Sequence, residues 1–291
     1  STDKEGDAEM STPEKFELTG PLPDQGVTIL EASAGTGKTY AIAALATRFI
    51  AEGFPIESLL IVTFSRAAAG ELKSRVHQRL ASTLSSLVSF SSIGKQPEDE
   101  IDKALAEGDV ESICERLNTA LGKIDEATIA TIHEYSSRMI AELGVLVDHD
   151  DSSTFVDDMS ELIEDVVADT YLSSWDHKAK GDWKRAQTIG KEVCFKPSFK
   201  IIPSDTEEGI FAHKVRSEFD RRKRSMRIYG YDDMVDRLTD ALDDPETGNM
   251  AARVLSKRFP IVMVDEFQDT DPQQWRIIEK AFAKHCRVIL I

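Results

Sequence analysis

A run near the amino end, Leu30-Glu31-Ala32-Ser33-Ala34-Gly35-Thr36-Gly37-Lys38-Thr39, has the residue types and spacing of a loop that cradles phosphate groups. Gly35 and Gly37 free the backbone to turn so that successive N–H groups face an anion at the positive end of a following helix. Lys38 would reach the outer phosphates, and the Thr39 hydroxyl would ligate Mg²⁺. The cradle itself would be Ala32, Ser33, Ala34, Gly35, Thr36, Gly37, Lys38 and Thr39, with Ala32 standing where the usual pattern has its first glycine. The bland alternative is an accidental glycine-rich turn. Against it, Val27-Thr28-Ile29-Leu30 reads as a short buried strand, and Tyr40 to Ala51 reads as a helix, which is the order this loop requires.

Near the other end, Phe259-Pro260-Ile261-Val262-Met263-Val264-Asp265-Glu266 is an apolar run closing on adjacent carboxylates. That is the pattern of a central parallel strand whose carboxyl end carries chemistry, and it looks like a Walker B segment. Asp265 would hold the Mg²⁺ shared with Thr39. Glu266 would orient and deprotonate an attacking water, which makes Lys38 and Glu266 the candidate catalytic pair. Alone, an Asp-Glu pair reads as a solvated loop; after four apolar β-formers, in one chain with a phosphate loop, it does not.

Together, Glu31 to Thr39 and Asp265-Glu266-Phe267-Gln268-Asp269-Thr270-Asp271-Pro272-Gln273-Gln274-Trp275 resemble motifs I and II of the UvrD/Rep class of superfamily 1 DNA helicases. Within that class they are most similar to the RecB type, the exodeoxyribonuclease V beta subunit, in which Ala often stands at the position of Ala32. The lead-in Phe16 to Pro23 and the segment Tyr229-Gly230-Tyr231-Asp232-Asp233 fit the same subgroup, although Asp232 reads first as a helix cap. Leu59 to Leu72 resembles motif Ia. By that resemblance Thr63 and Phe64 would contact single-stranded DNA, a hydroxyl for phosphate and a ring for a base or sugar. Phe64 reads equally well as a core aromatic. Arg66, Lys73, Arg75 and Arg79 follow as a basic set, either a phosphate track or a solvated face. Thr128 to His133 resembles motif Ib, with Thr131 and His133 facing the DNA backbone. Glu134 stands where relatives often carry a small residue.

The resemblance implies an α/β fold: a RecA-like P-loop NTPase domain with a parallel sheet and an inserted helical lobe. It implies ATP and Mg²⁺ as cofactors, single- and double-stranded DNA as substrates, and RecC- and RecD-like subunits as partners. The activity implied is that of the N-terminal motor domain of an ATP-dependent helicase-nuclease acting in double-strand break repair and recombination, in the cytoplasm. The apolar run Arg287 to Ile291 lacks the motif III that follows it in the family, so the sequence reads as an N-terminal fragment, inactive by itself. A reading from another class is a stand-alone nucleotide-binding or protein-interaction module without motor activity.

The net charge of −17 sits badly with a simple DNA-binding domain, since phosphate contacts are what give nucleic-acid affinity. The acid is concentrated, however, in Glu98 to Glu115, Asp148 to Asp169 and Asp240 to Glu246. Basic clusters remain at Arg66 to Arg79 and Arg216 to Arg227, the second favoured as a solvated helix paired with acidic neighbours. Cys114, Cys194 and Cys286 are far apart, which argues for reduced thiols and against zinc. No apolar run approaches a membrane span. The expected organisation is a polar tail over residues 1–15, the first part of the RecA-like domain over 16–147, a mainly helical lobe over 148–222, and the second part of the domain over 223–291.

Overall fold

The computed structural model describes residues 16–31, 37–144, 153–174, 183–195 and 200–291. Five strands, β1 (Gly26–Ile29), β2 (Leu59–Thr63), β3 (Thr128–Thr131), β6 (Ile261–Val264) and β7 (Arg287–Leu290), form one parallel sheet in the order β1-β7-β6-β2-β3. Because every pairing is parallel, all the carboxyl ends lie along one edge, where the loops leaving them can converge.

Both faces of the sheet are buried, and the alternation of side chains along each strand divides the core in two. Leu59, Ile61, Ile261, Met263 and Ile289 point to the side covered by α1 (Lys38–Glu52), α2 (Arg66–Ile93) and α4 (Val110–Gly122). Leu60, Val62, Val262, Val264, Val288 and Leu290 point to the side covered by α5 (Ile132–Leu143), α9 (Tyr231–Asp243), α10 (Gly248–Arg258) and α11 (Pro272–Phe282). This two-sided burial is why the strands read as unbroken apolar runs. The exception is β1. Among the described residues it lies at the sheet edge and pairs with β7 alone, so Val27 and Ile29 share the face of Val288 and Leu290 but are 42% and 65% exposed. The sequence expectation of a buried strand there is corrected accordingly.

Between α2 and α4 lies the short α3 (Glu100–Ala106). It is tied to α2 by Arg79, whose guanidinium bonds Asp99 at 2.5 Å and the nearly inaccessible Asp102 at 3.0 Å. A third cluster, built on Ile163, Val166, Val167, Ile189, Phe211, Val215 and Phe219, belongs to α6 (Ser160–Ser174), α7 (Trp183–Phe195) and α8 (Glu207–Met226). At its border the two-residue strands β4 (Thr154–Phe155) and β5 (Ile228–Tyr229) pair in parallel and lead into α9.

Candidate functional site

Gly37 occupies the left-handed region at φ 92°, a conformation glycine adopts without penalty, and α1 starts immediately after it with Lys38 and Thr39. Residues Ala32, Ser33, Ala34, Gly35 and Thr36 of the expected phosphate cradle lie outside the described residues. At the opposite end of the chain, β6 delivers Asp265, whose N–H donates to the Val62 carbonyl at 2.8 Å and so extends the sheet ladder by one residue. The next residue breaks it. Glu266 is held at φ 53°, an uncommon conformation for a side chain of this kind, and the Phe267 N–H then donates to the Ile291 carbonyl at 3.0 Å. This turn carries the Glu266 carboxylate to Lys38, whose Nζ donates to Oε2 at 3.0 Å; the Gln268 amide donates to the same oxygen.

The neighbouring carboxylates are pushed in opposite directions. Burial raises the Asp265 carboxyl above its ordinary value, with the adjacent Glu266 charge adding to the effect, while the Thr63 hydroxyl, donating to Oδ2 at 3.1 Å, partly offsets it. The hydrogen bond from Lys38, and after it that from Gln268, hold Glu266 below its ordinary value. Environments that separate two adjacent carboxyls in this way are a common mark of a working site. As ligands, the Thr39 hydroxyl and Asp265 carboxylate are the hard oxygen donors that suit Mg²⁺, and a cation beside Asp265 would relieve the burial of its charge.

Thr63, expected at the DNA path, is 3% exposed and spends its hydroxyl on Asp265. Phe64, one residue on, is 70% exposed and therefore lies outside the core. Ser65 accepts from the Ala68 N–H and caps α2, so Arg66 stands on the first turn just beyond the Phe64 ring. Thr131 is buried, and its hydroxyl accepts from the Glu134 N–H at 3.3 Å while Glu134 accepts from the Thr131 N–H at 3.1 Å, a capping box that starts α5. His133 packs edge-on against Tyr231 with ring centres 5.9 Å apart, and its Nε2 lies 3.5 Å from Asp232. The helix-capping role considered for Asp232 falls to Asp233, which accepts from the Gly230 N–H at 2.8 Å.

The basic set on α2 has acidic partners throughout: Lys73 bonds Asp125 at 2.8 Å, Arg75 lies 3.6 Å from Glu71, and Arg79 bonds Asp99 and Asp102. On α8, Arg221 and Arg222 both bond Glu218, Arg222 also bonds Asp169, and Lys223 bonds Asp233. Sequence reasoning passed over Gln268, and also Tyr40, which is half exposed one residue beyond Thr39 and donates to Asp99 at 2.9 Å. The only signal for either was its place within motif II, for Gln268, or next to motif I, for Tyr40.

A parallel sheet covered on both faces by helices, with motifs I and II at one carboxyl edge, is the architecture of an α/β RecA-like helicase domain. The chain belongs to the family of UvrD/REP helicase N-terminal domains, which it matches over residues 14–291. It is similar to the RecBCD enzyme subunit RecB of Mycolicibacterium smegmatis, 39% identical over 95% of this chain and 26% of that protein. The RecBCD enzyme subunit RecB of Mycobacterium tuberculosis is 37% identical over 96% of the chain and 26% of the relative. That of Escherichia coli is 25% identical over 89% of the chain and 33% of the relative. The chain thus spans about a quarter of the length of the mycobacterial relatives it matches.

Proposed function

We propose that this chain forms the nucleotide-binding part of a RecB-like, ATP-dependent DNA helicase motor that acts on single- and double-stranded DNA in break repair and recombination. The observation that carries the reading is the Lys38–Glu266 contact at 3.0 Å, which joins motif I to motif II at the carboxyl edge of the sheet. Thr39 and Asp265 would hold Mg²⁺, which when bound offsets the charge of the phosphate oxygens. Lys38 would bind the outer phosphates as a point charge. A phosphate oxygen that takes Lys38 removes the main influence holding Glu266 low, so the freed carboxylate becomes a better base for the attacking water. Thr63 keeps Asp265 oriented. Phe64 and Arg66 provide an exposed ring and a cation for single-stranded DNA, with Thr131 and His133 beside them. The relatives are named as subunits of the RecBCD enzyme, which supports RecC- and RecD-like partners for the longer proteins of this kind.

Calorimetry with Mg-ATP and Mg-ADP tests the reading. The wild-type chain should bind either nucleotide, and Lys38→Ala should abolish that binding. Equal affinity for both proteins would remove the nucleotide site from this position.

A further inference from the structure

Arg66 is held on one edge by two elements that have no part in motif Ia. Its Nε donates to Glu134 Oε1 at 2.9 Å, and its Nη2 donates to the Tyr231 hydroxyl. Tyr231 opens α9, and its hydroxyl donates in turn to Asp157 Oδ1 at 2.5 Å, just past β4. Glu134 uses its second oxygen for the Thr131 N–H, so one carboxylate both starts α5 and holds the first residue of α2. The side chains of Arg66 and Glu134 are 63% and 31% exposed, and Arg66 follows the exposed Phe64 by two residues.

We propose that Glu134 is an internal stand-in for a DNA phosphate: it occupies Arg66, a strand must displace it there, and Arg66 in engaging the strand lets go of Tyr231. The proposal rests on the DNA-binding reading above. Carboxylate and phosphate present the same kind of acceptor to a guanidinium fork, and an exposed ion pair is weak enough to be exchanged. Glu134 cannot swing far, because its capping bond to Thr131 anchors it. Its negative charge therefore stays next to the incoming phosphate and lowers the affinity for DNA. The exchange also unties α2 from α9 and the Asp157 segment, so strand binding is felt at the border of the α6–α8 cluster.

The test is fluorescence anisotropy of a labelled oligothymidylate with wild type, Glu134→Gln, Arg66→Ala and the double variant, over a series of salt concentrations. Glutamine keeps an acceptor for the Thr131 N–H and removes the charge, so a thermal melt should be unchanged. Glu134→Gln should tighten binding about 2- to 5-fold at low salt, the range for an exposed ion pair. The gain should shrink as salt rises, because it comes from removing a charge that lies beside the bound phosphate. With Arg66→Ala in place, the gain should vanish. Unchanged or weaker binding by Glu134→Gln, or an equal gain without Arg66, overturns the proposal while leaving the DNA reading intact, provided that wild type binds and Phe64→Ala weakens it. Failure of wild type to bind at any salt overturns both.

Discussion

Truncating Phe64 to alanine separates a DNA contact from a packing residue, because the structure sets the two costs far apart. The residue is 70% exposed, so under a third of its surface is covered. An aromatic side chain buries about 200 Å² when fully enclosed. The covered share is then roughly 60 Å², and at about 25 cal/mol per Å² its loss costs no more than about 1.5 kcal/mol of stability. Phe259 is fully buried against α5 and α11, and Phe259→Ala should cost about 3–5 kcal/mol. For a chain of this size the buried truncation corresponds to a fall in melting temperature on the order of 10 °C, several times that expected for Phe64→Ala. A base stacked on an aromatic ring is worth about 1–3 kcal/mol, so Phe64→Ala should weaken single-stranded DNA binding by about 5- to 150-fold. Anisotropy with a labelled oligonucleotide at low salt, run beside a thermal melt of the same preparations, reads both quantities. A large drop in melting temperature with unchanged affinity would refute the reasoning and put the ring back in the core.

Asp265→Asn should raise the melting temperature at pH 7, because the folded state holds this carboxyl above its ordinary value of 3.8 and so disfavours its charge; the gain should fade as the pH falls through the raised value toward 3.8, where the folded wild type takes up its proton. An equal gain at every pH would point to packing instead. In the longer protein, Glu266→Gln should keep nucleotide affinity and stop hydrolysis, since an amide cannot take the proton of water; steady-state turnover beside calorimetry checks it, and an active variant would remove Glu266 as the base. Arg79→Ala should cost about 3–5 kcal/mol in denaturant unfolding, because it strands the Asp102 carboxylate, 4% exposed, without its cation; a loss below 1 kcal/mol, roughly the worth of a surface pair, would contradict that.

The strand before Asp265 and the helix after Thr39 were legible in the sequence because each is a local string that declares its element: apolar β-formers in the one, an alanine-rich run in the other. The fold class followed from the same strings and from the family they resemble. What the string could not carry was the order of strands. The resemblance to motif Ia assigned Thr63 to DNA, and only the pairing of β2 with β6, Val62 opposite Val264, puts its hydroxyl on Asp265. The same blindness made β1 look buried, since nothing local marks a strand as an edge. Asp233 rather than Asp232 takes the capping role because the choice depends on where the helix begins, a matter of one residue. The basic set on α2 could be either a phosphate track or a solvated face, and the cluster on α8 already read as a solvated helix; Asp125, Asp99, Asp102, Glu218 and Asp169, from other turns and other helices, pair with both.

Among the described residues, the strand that leads into the expected phosphate loop pairs with β7 alone, a strand from the far end of the sequence: Gly26 stands opposite Arg287 and Ile29 opposite Leu290. Closing a contact across so much chain is slow, and synthesis delivers the two halves far apart in time. Among the described residues, β1 therefore gains its sheet partner only once β7 has left the ribosome. Whatever holds the early helices together during translation, it is not the pairing of β1 into the sheet.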